Sequence, residues 1–159
     1  MKKNTYKNKA TFLEKLKTKS KREANLFFSL CEDDSEIVNT KKFKRVLLNS
    51  GLKANDKRLY NLFQNLDAHG DKIVFEDFID IIRSSELIVE KSLRGELSIP
   101  DFSYFAKNLD SMFDEVKKIK SGELASYIPP LAEVDPDQFG VAIVTADGQI
   151  YQKGDSNVD

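Results

Sequence analysis

The sequence has few of the features that mark a secreted, disulfide-bonded or membrane protein. Its single cysteine, Cys31, excludes an intrachain disulfide and suits a reducing compartment. No apolar run approaches the roughly 18 residues that a membrane-spanning helix needs, and the start, Met1 to Lys9, lacks the apolar stretch of a secretory signal. A net charge of −1 argues against a nucleic-acid-binding chain. We therefore expect a cytoplasmic protein without nucleic-acid or membrane partners.

What the sequence does contain is enough apolar material for a globular core. Its 159 residues, 40% hydrophobic and 32% charged, fit one ordinary domain, or a small domain plus part of another. The charge is uneven, because Lys2 to Arg22 is strongly basic and Glu14 is its only acid. This stretch is either an arm for nucleic acid or anionic lipid, or the solvated face of a helix that carries Phe12, Leu13 and Leu16 inward. The aromatic interleaving of a nucleic-acid platform is missing, which favours the helix.

Helical periodicity dominates as far as about Gly122. Thr40 is the predicted N-cap of one helix, which Gly51 ends, and Asn55 or Asp56 is the predicted N-cap of the next. Ser98-Ile-Pro-Asp101 begins a further helix, predicted to run from Pro100 to Gly122. The apolar positions at helical spacing are Leu26, Phe27, Leu30 and Cys31; Phe43, Val46 and Leu47; Leu59, Tyr60, Leu62, Phe63 and Leu66; Phe75, Phe78, Ile79, Ile81 and Ile82, with Leu87 and Val89 as a possible extension; and Phe102, Phe105, Leu109, Met112, Phe113 and Val116.

From Phe139 the apolar period changes from helical spacing to two. Val141, Ile143 and Thr145 alternate with their neighbours, and Asp147-Gly148 supplies the turn of a β-hairpin that returns through Tyr151. An isolated two-stranded hairpin is marginally stable. We therefore expect the segment from Phe139 to Tyr151 to need sheet partners that this sequence does not supply, and to be poorly protected without them.

Two segments have the layout of EF-hands, in which two helices flank a calcium loop of 12 residues. In the second, Asp67 takes position one, His69 position three and Asp71 position five, and Asp77 is the closing acid, provided that the loop glycine has been deleted. The first, around Cys31 to Val38, reaches Lys41-Lys42 where the closing carboxylate should stand. Calcium prefers six to eight oxygen ligands, so we expect a paired scaffold without metal, joined by a short β-bridge between Ile37 or Val38 and Ile73. His69 is interpreted as a loop residue and Cys31 as a small buried one.

The end of the chain carries the most specific motifs. Tyr127-Ile-Pro-Pro-Leu and, further on, Ala146-Asp-Gly-Gln resemble the segment that opens the catalytic domain of serine-dependent glutaminases, the β-lactamase-like enzymes that convert glutamine and water to glutamate and ammonia. The resemblance extends back to about Val46, through the helical region and Ile99-Pro-Asp-Phe102. It implies a β-lactamase/transpeptidase-like α/β fold for the catalytic domain, activity without metal or organic cofactor, glutamine as substrate, and a homo-oligomer.

The resemblance also implies a catalytic Ser-x-x-Lys at the start of a helix, beyond Gly154-Asp155, where this sequence stops. One match, Ser50-Gly-Leu-Lys53, lies far earlier, and Gly51 ends a helix within it, so we do not interpret it as catalytic. No catalytic and no metal-binding residue is therefore assigned. Tyr127 is the one substrate-binding candidate, since the matching tyrosine lines the glutamine pocket in that family; the alternative is a tyrosine packed at a helix end before Pro129-Pro130.

Taken together, the sequence predicts a mostly α-helical protein. Its parts are a basic tail (1–10), an EF-hand-like domain (11–95), a linking helix (96–122) and the start of a glutaminase catalytic domain (123–159). This is the expected regulatory or assembly part of a glutaminase, inactive alone. The alternative is a stand-alone EF-hand-like interaction module or weak calcium sensor. A downstream reading frame beginning with Ser-x-x-Lys would decide between them, since the sequence does not tell a natural stop from a frameshift.

Overall fold

The computed structural model describes residues 18–32 and 36–158, with side chains from residue 21 onward. The helix predicted to carry Phe12, Leu13 and Leu16, and part of the first EF-hand-like loop, lie outside the described residues. Within them the helices are α1 (Thr18–Leu30), α2 (Thr40–Asn49), α3 (Tyr60–His69), α4 (Phe75–Ile82), α5 (Glu86–Arg94), α6 (Phe102–Val116) and the short α7 (Pro129–Ala132). The strands are β1 (Val38–Asn39), β2 (Lys72–Ile73), β3 (Gly140–Val144) and β4 (Ile150–Gly154).

The first five helices pack around an aromatic centre, as their apolar spacing predicted. Phe27, Phe43 and Phe78 are fully buried, and the Phe78 ring lies 5.5 Å from that of Phe27 and 5.7 Å from that of Phe43. Burying each such side chain stabilises the fold by about 1.5–3 kcal/mol. β1 and β2 pair antiparallel with Val38 opposite Ile73, which confirms the bridge predicted between the two loops.

The helix ends agree in part with the predicted caps. Gly51 follows α2 with a left-handed φ of 87°, and Asp101 caps α6 by accepting the Tyr104 amide at 3.0 Å. Thr40 is not the N-cap of α2: Asn39 is, and its side chain accepts the Lys42 amide. Since Asn39 belongs to β1, pairing of the two loops places the helix start one residue earlier than composition indicated.

Three other predicted helix boundaries were wrong. Asp56 does not cap α3, which begins at Tyr60; the Asp56 carboxylate accepts the Arg58 amide in the preceding turn. Leu87 and Val89 do not extend α4 but lie in α5, after a turn ending at Ser85. The linking helix ends at Val116 rather than near Gly122, because the residues beyond it are exposed and gain little from helical packing.

The predicted hairpin is present, with Val141 opposite Lys153 and Ile143 opposite Tyr151. These four residues form the half-buried face that lies towards α6, whereas Val144 on the other face is 67% exposed. The Asp147-Gly148 turn is closed by the Gly148 amide, which donates to the Thr145 carbonyl at 2.9 Å. The expectation that the hairpin lacks support without further strands was wrong, because helical elements hold it. Its poor protection stays a prediction.

Candidate functional site

Tyr127, the substrate-binding candidate, lies in an exposed connection between α6 and β3. Its side chain is 82% exposed, so it is not packed at the start of α7, and that alternative was wrong. The neighbouring apolar side chains Leu124, Ile128 and Leu131 are also exposed. The assignment of Tyr127 to a glutamine pocket stays a prediction.

The Ser50-Gly51-Leu52-Lys53 match has no catalytic geometry. Ser50 is the C-cap of α2, and the chain leaves the helix at Gly51, so Lys53 does not stack one turn above the serine. The Ser50 hydroxyl donates to the Leu47 carbonyl at 2.7 Å and lies 2.8 Å from the Ser92 hydroxyl. A nucleophilic serine needs a base within such a distance, and Ser92 is not a base.

The second EF-hand-like loop is partly helical. α3 continues through His69, so positions one to three of the predicted loop lie on a helix instead of wrapping around an ion. The interpretation of His69 as a loop residue was therefore wrong: it ends α3, and its Nε2 lies 3.3 Å from Asp77 Oδ2. Cys31 is half-buried, with its thiol donating to the Phe27 carbonyl.

Lysines of α2 approach the carboxylates that would hold calcium. Lys44 pairs with Asp67, and Lys41 Nζ lies 3.4 Å from Asp71 Oδ1. Among residues 18–32 and 36–158, no three His, Cys, Asp or Glu side chains gather as a metal site would require. An ammonium group beside Asp67 and another beside Asp71 oppose a divalent cation there, so the absence of calcium binding stays our prediction.

The most deeply buried polar residue in the described chain is Gln149, directly after the hairpin turn. Its side chain is fully buried. Its amide nitrogen donates to the carbonyls of Ser50, at 2.7 Å, and Ile99, at 2.8 Å, and its oxygen accepts the Ile99 amide at 2.9 Å. One side chain thus joins the α2–α3 loop to the α5–α6 loop. Buried amides need such partners, since an unsatisfied one costs about 1–3 kcal/mol.

The rest of the turn reinforces this junction. The Asp147 carboxylate accepts the Ser98 amide at 2.8 Å and the Ser98 hydroxyl at 2.7 Å, and Lys91 Nζ lies 3.2 Å from it. The hydrogen bond from the Ser98 hydroxyl is the main reason that the pKa of Asp147 is lowered. Arg58 donates to the Asp147 carbonyl at 2.6 Å, and the Ile150 amide donates to the Gly51 carbonyl at 2.9 Å.

The far side of the hairpin is held by α6. The buried Tyr151 donates its hydroxyl to Asp110 Oδ1 at 2.9 Å, and Lys153 Nζ lies 2.9 Å from Asp114 Oδ1. Burial raises the pKa of Tyr151, and its hydroxyl lowers that of Asp110. The Phe113 and Phe139 rings lie 4.8 Å apart. Sequence reasoning missed these residues as a site; the one available signal was the polar pair Asp147 and Gln149 flanking a turn glycine.

Comparisons with known proteins match both halves of the chain. A family model described as an EF-hand domain matches residues 22–100, and the Glutaminase family model matches residues 122–159. Among the described helices, none combines the length and the apolar character needed to cross a membrane.

Curated relatives extend this similarity over most of the chain. A putative glutaminase 3 of Caenorhabditis elegans is 31% identical across 82% of this chain and 24% of its own length. The mitochondrial glutaminase liver isoform of Rattus norvegicus is 30% identical across 84% of this chain and 23% of its own. A Rhizobium etli glutaminase is 49% identical across 31% of this chain and 16% of its own. The chain therefore spans about a quarter of the length of the first two relatives.

Proposed function

This protein is related to the glutaminases and contains an EF-hand domain, and on that premise we propose that it supplies the regulatory and assembly part, and the opening segment of the catalytic domain, of a glutaminase. The observation that carries the proposal is the junction around Gln149. It packs the segment matched as glutaminase against the segment matched as an EF-hand domain, as expected if the helical domain supports the catalytic one. The β-lactamase-like catalytic fold and the homo-oligomer belong to this proposal.

The one Ser-x-x-Lys match of the sequence lacks the geometry that the reaction needs. Hydrolysis of glutamine requires an activated nucleophile and donors for the oxyanion, and the geometry around Ser50 supports no such role. We therefore propose that the 159-residue polypeptide alone releases no ammonia from glutamine. Its contribution to a site would be binding, through Tyr127, whose side chain is largely exposed.

A chimeric enzyme tests both parts of the proposal. The opening segment of the Rhizobium etli glutaminase is replaced by this chain, and ammonia release from glutamine is measured. We expect a folded chimera to be active. In it, Tyr127→Phe should lower kcat/KM about tenfold, the loss of one hydrogen bond to substrate, whereas Tyr104→Phe, at another exposed tyrosine, should not. A folded but inactive chimera contradicts the functional proposal; unchanged kinetics after Tyr127→Phe contradicts the pocket assignment alone.

The alternative is a stand-alone interaction module, and exposed apolar side chains of α6 favour it. Met112 and Val116 are 60% and 46% exposed, at helical spacing along one edge. The weak calcium sensor receives no such support, because lysines face the loop acids.

Sedimentation of the 159-residue protein tests the expected homo-oligomer. Cell fractionation tests the proposed cytoplasmic location, and recovery of the protein with mitochondria would contradict it.

A further inference from the structure

The turn Asp147–Gln149 contacts two loops that are distant in sequence from it and from each other. Gln149 bonds to main-chain atoms of Ser50, 99 residues away, and of Ile99, 50 residues away. A change of side-chain rotamer cannot move main-chain atoms, so these hydrogen bonds tie the backbones of both loops to the position of the turn. Separating the loops would require this buried amide to lose its partners.

From this geometry we infer that Asp147–Gln149 is an interdomain latch. It couples the hairpin to the EF-hand domain, so that a displacement of the α2–α3 loop is passed to β4. The path is short and continuous: Gly51 accepts the Ile150 amide directly, and Tyr151, the next residue, bonds to α6 through Asp110. The hairpin therefore cannot open from the helical domain without releasing both ends.

The latch makes polar contacts, whereas the core is apolar, so we expect the latch to open without unfolding the core. The cluster that contains Phe27, Phe43 and Phe78 includes neither Gln149 nor any hairpin residue. Segments outside a hydrophobic core open locally at a lower free energy than the core, so their amide hydrogens exchange earlier. The inference stands whether or not the chain takes part in glutamine hydrolysis, because it concerns the folded chain alone.

Hydrogen exchange on the 159-residue protein tests the latch with a matched pair of variants. Gln149→Glu keeps the size of the side chain but replaces its donor by a carboxylate oxygen facing the carbonyls of Ser50 and Ile99. Gln152→Glu makes the same change at an exposed position of β4, three residues further along the chain. The reporters are the Ser98 and Ile150 amides, which bond across the junction without using the Gln149 side chain, and the Phe78 amide in the core.

We expect Gln149→Glu to speed exchange of Ser98 and Ile150 about tenfold or more, the effect of one lost net hydrogen bond, with Phe78 unchanged. Gln152→Glu should leave all three within about twofold. Unchanged exchange at Ser98 and Ile150 would overturn the inference, and so would an equal acceleration at Phe78, since the hairpin would then be part of one indivisible core.

A milder variant covers the case in which Gln149→Glu does not fold. Ser98→Ala removes only the hydroxyl bond to Asp147, and Ser111→Ala removes an exposed local bond within α6. Ser98→Ala should speed exchange of the Ile150 amide about threefold or more, a weaker effect of the same kind, and Ser111→Ala should not. Equal rates in the two serine variants would overturn the latch.

Discussion

Replacing Gly51 by alanine should destabilise the protein more than the same change at Gly95, although both glycines occupy the same kind of position after a helix. Both follow a helix with a positive φ, 87° at Gly51 and 67° at Gly95. Their surroundings differ. A Cβ at Gly51 would lie 2.6 Å from atoms of the Phe102 ring, whereas one at Gly95 would meet nothing within 4 Å.

The expected loss of stability has two causes, the left-handed backbone that alanine must adopt and the overlap of its Cβ with the Phe102 ring. A left-handed alanine costs about 1–2 kcal/mol at either position. Overpacking against a buried ring adds about 1–3 kcal/mol, and only Gly51→Ala incurs it, because Phe102 is buried. We therefore expect a free energy of unfolding lowered by about 1–2 kcal/mol in Gly95→Ala and by about 2–5 kcal/mol in Gly51→Ala.

Urea unfolding followed by far-ultraviolet circular dichroism measures both values, since the chain has no tryptophan for fluorescence. Phe102→Ala provides the control: in that background the ring is absent, and the difference between the two glycine variants should fall below about 0.5 kcal/mol, the limit of independent behaviour. Equal destabilisation by the two single changes would refute the reasoning, as would a difference that persists without the Phe102 ring.

Three further outcomes are expected. Hydrogen bonds lower the pKa of Asp147, so the contribution of its carboxylate to folding stability is present above the unfolded pKa of about 3.9 and is lost as pH falls through the folded pKa. The Ser98 amide proton resonance should therefore shift only below about pH 4, and Asp147→Asn should abolish this shift. A midpoint above about pH 5 would contradict the reasoning. Calcium titration in a calorimeter should give no saturable heat, and a dissociation constant below about 10⁻⁵ M would show the lysine-paired loops to be competent after all. Tyr151→Phe should lower the free energy of unfolding by about 1 kcal/mol through loss of its bond to Asp110, whereas Tyr104→Phe should change it by less than about 0.5; equal effects would mean that the buried hydroxyl contributes nothing.

Local signals predicted the elements well and their ends less well. Apolar spacing placed the buried Phe27, Phe43 and Phe78 on the inner faces of helices, because a helical period of 3.6 leaves little choice of face. Gly51 ends α2 as predicted, and the segment Ser98 to Asp101 leads into α6 as predicted, because these roles involve only neighbouring residues. Asn39 replaced Thr40 as a cap because the β1–β2 pairing, a contact between distant loops, sets where α2 begins.

The candidate site was less predictable than the fold. The assignment of Tyr127 rests on the glutaminase resemblance alone, and its side chain is exposed rather than packed. The damaged EF-hand loops were evident from His69 and Lys42, but the pairing of loop carboxylates with lysines of α2 was not. Lys41 and Lys44 reach Asp71 and Asp67 only because α2 lies beside the second loop, and spacing along a chain does not specify which helix faces which loop.

By itself, the sequence determined the helical class and a hairpin at Asp147-Gly148, since these depend on dihedral preferences and apolar periods encoded within a few residues. The bridge between the loops was predicted from the paired EF-hand layout instead. Only the tertiary structure decided what the hairpin packs against. Gln149 reads along the chain as an ordinary polar residue at a strand start, yet it is buried among carbonyls contributed by two loops. Main-chain acceptors are the same for every residue type, so no sequence pattern marks them as partners until the helices have brought them together.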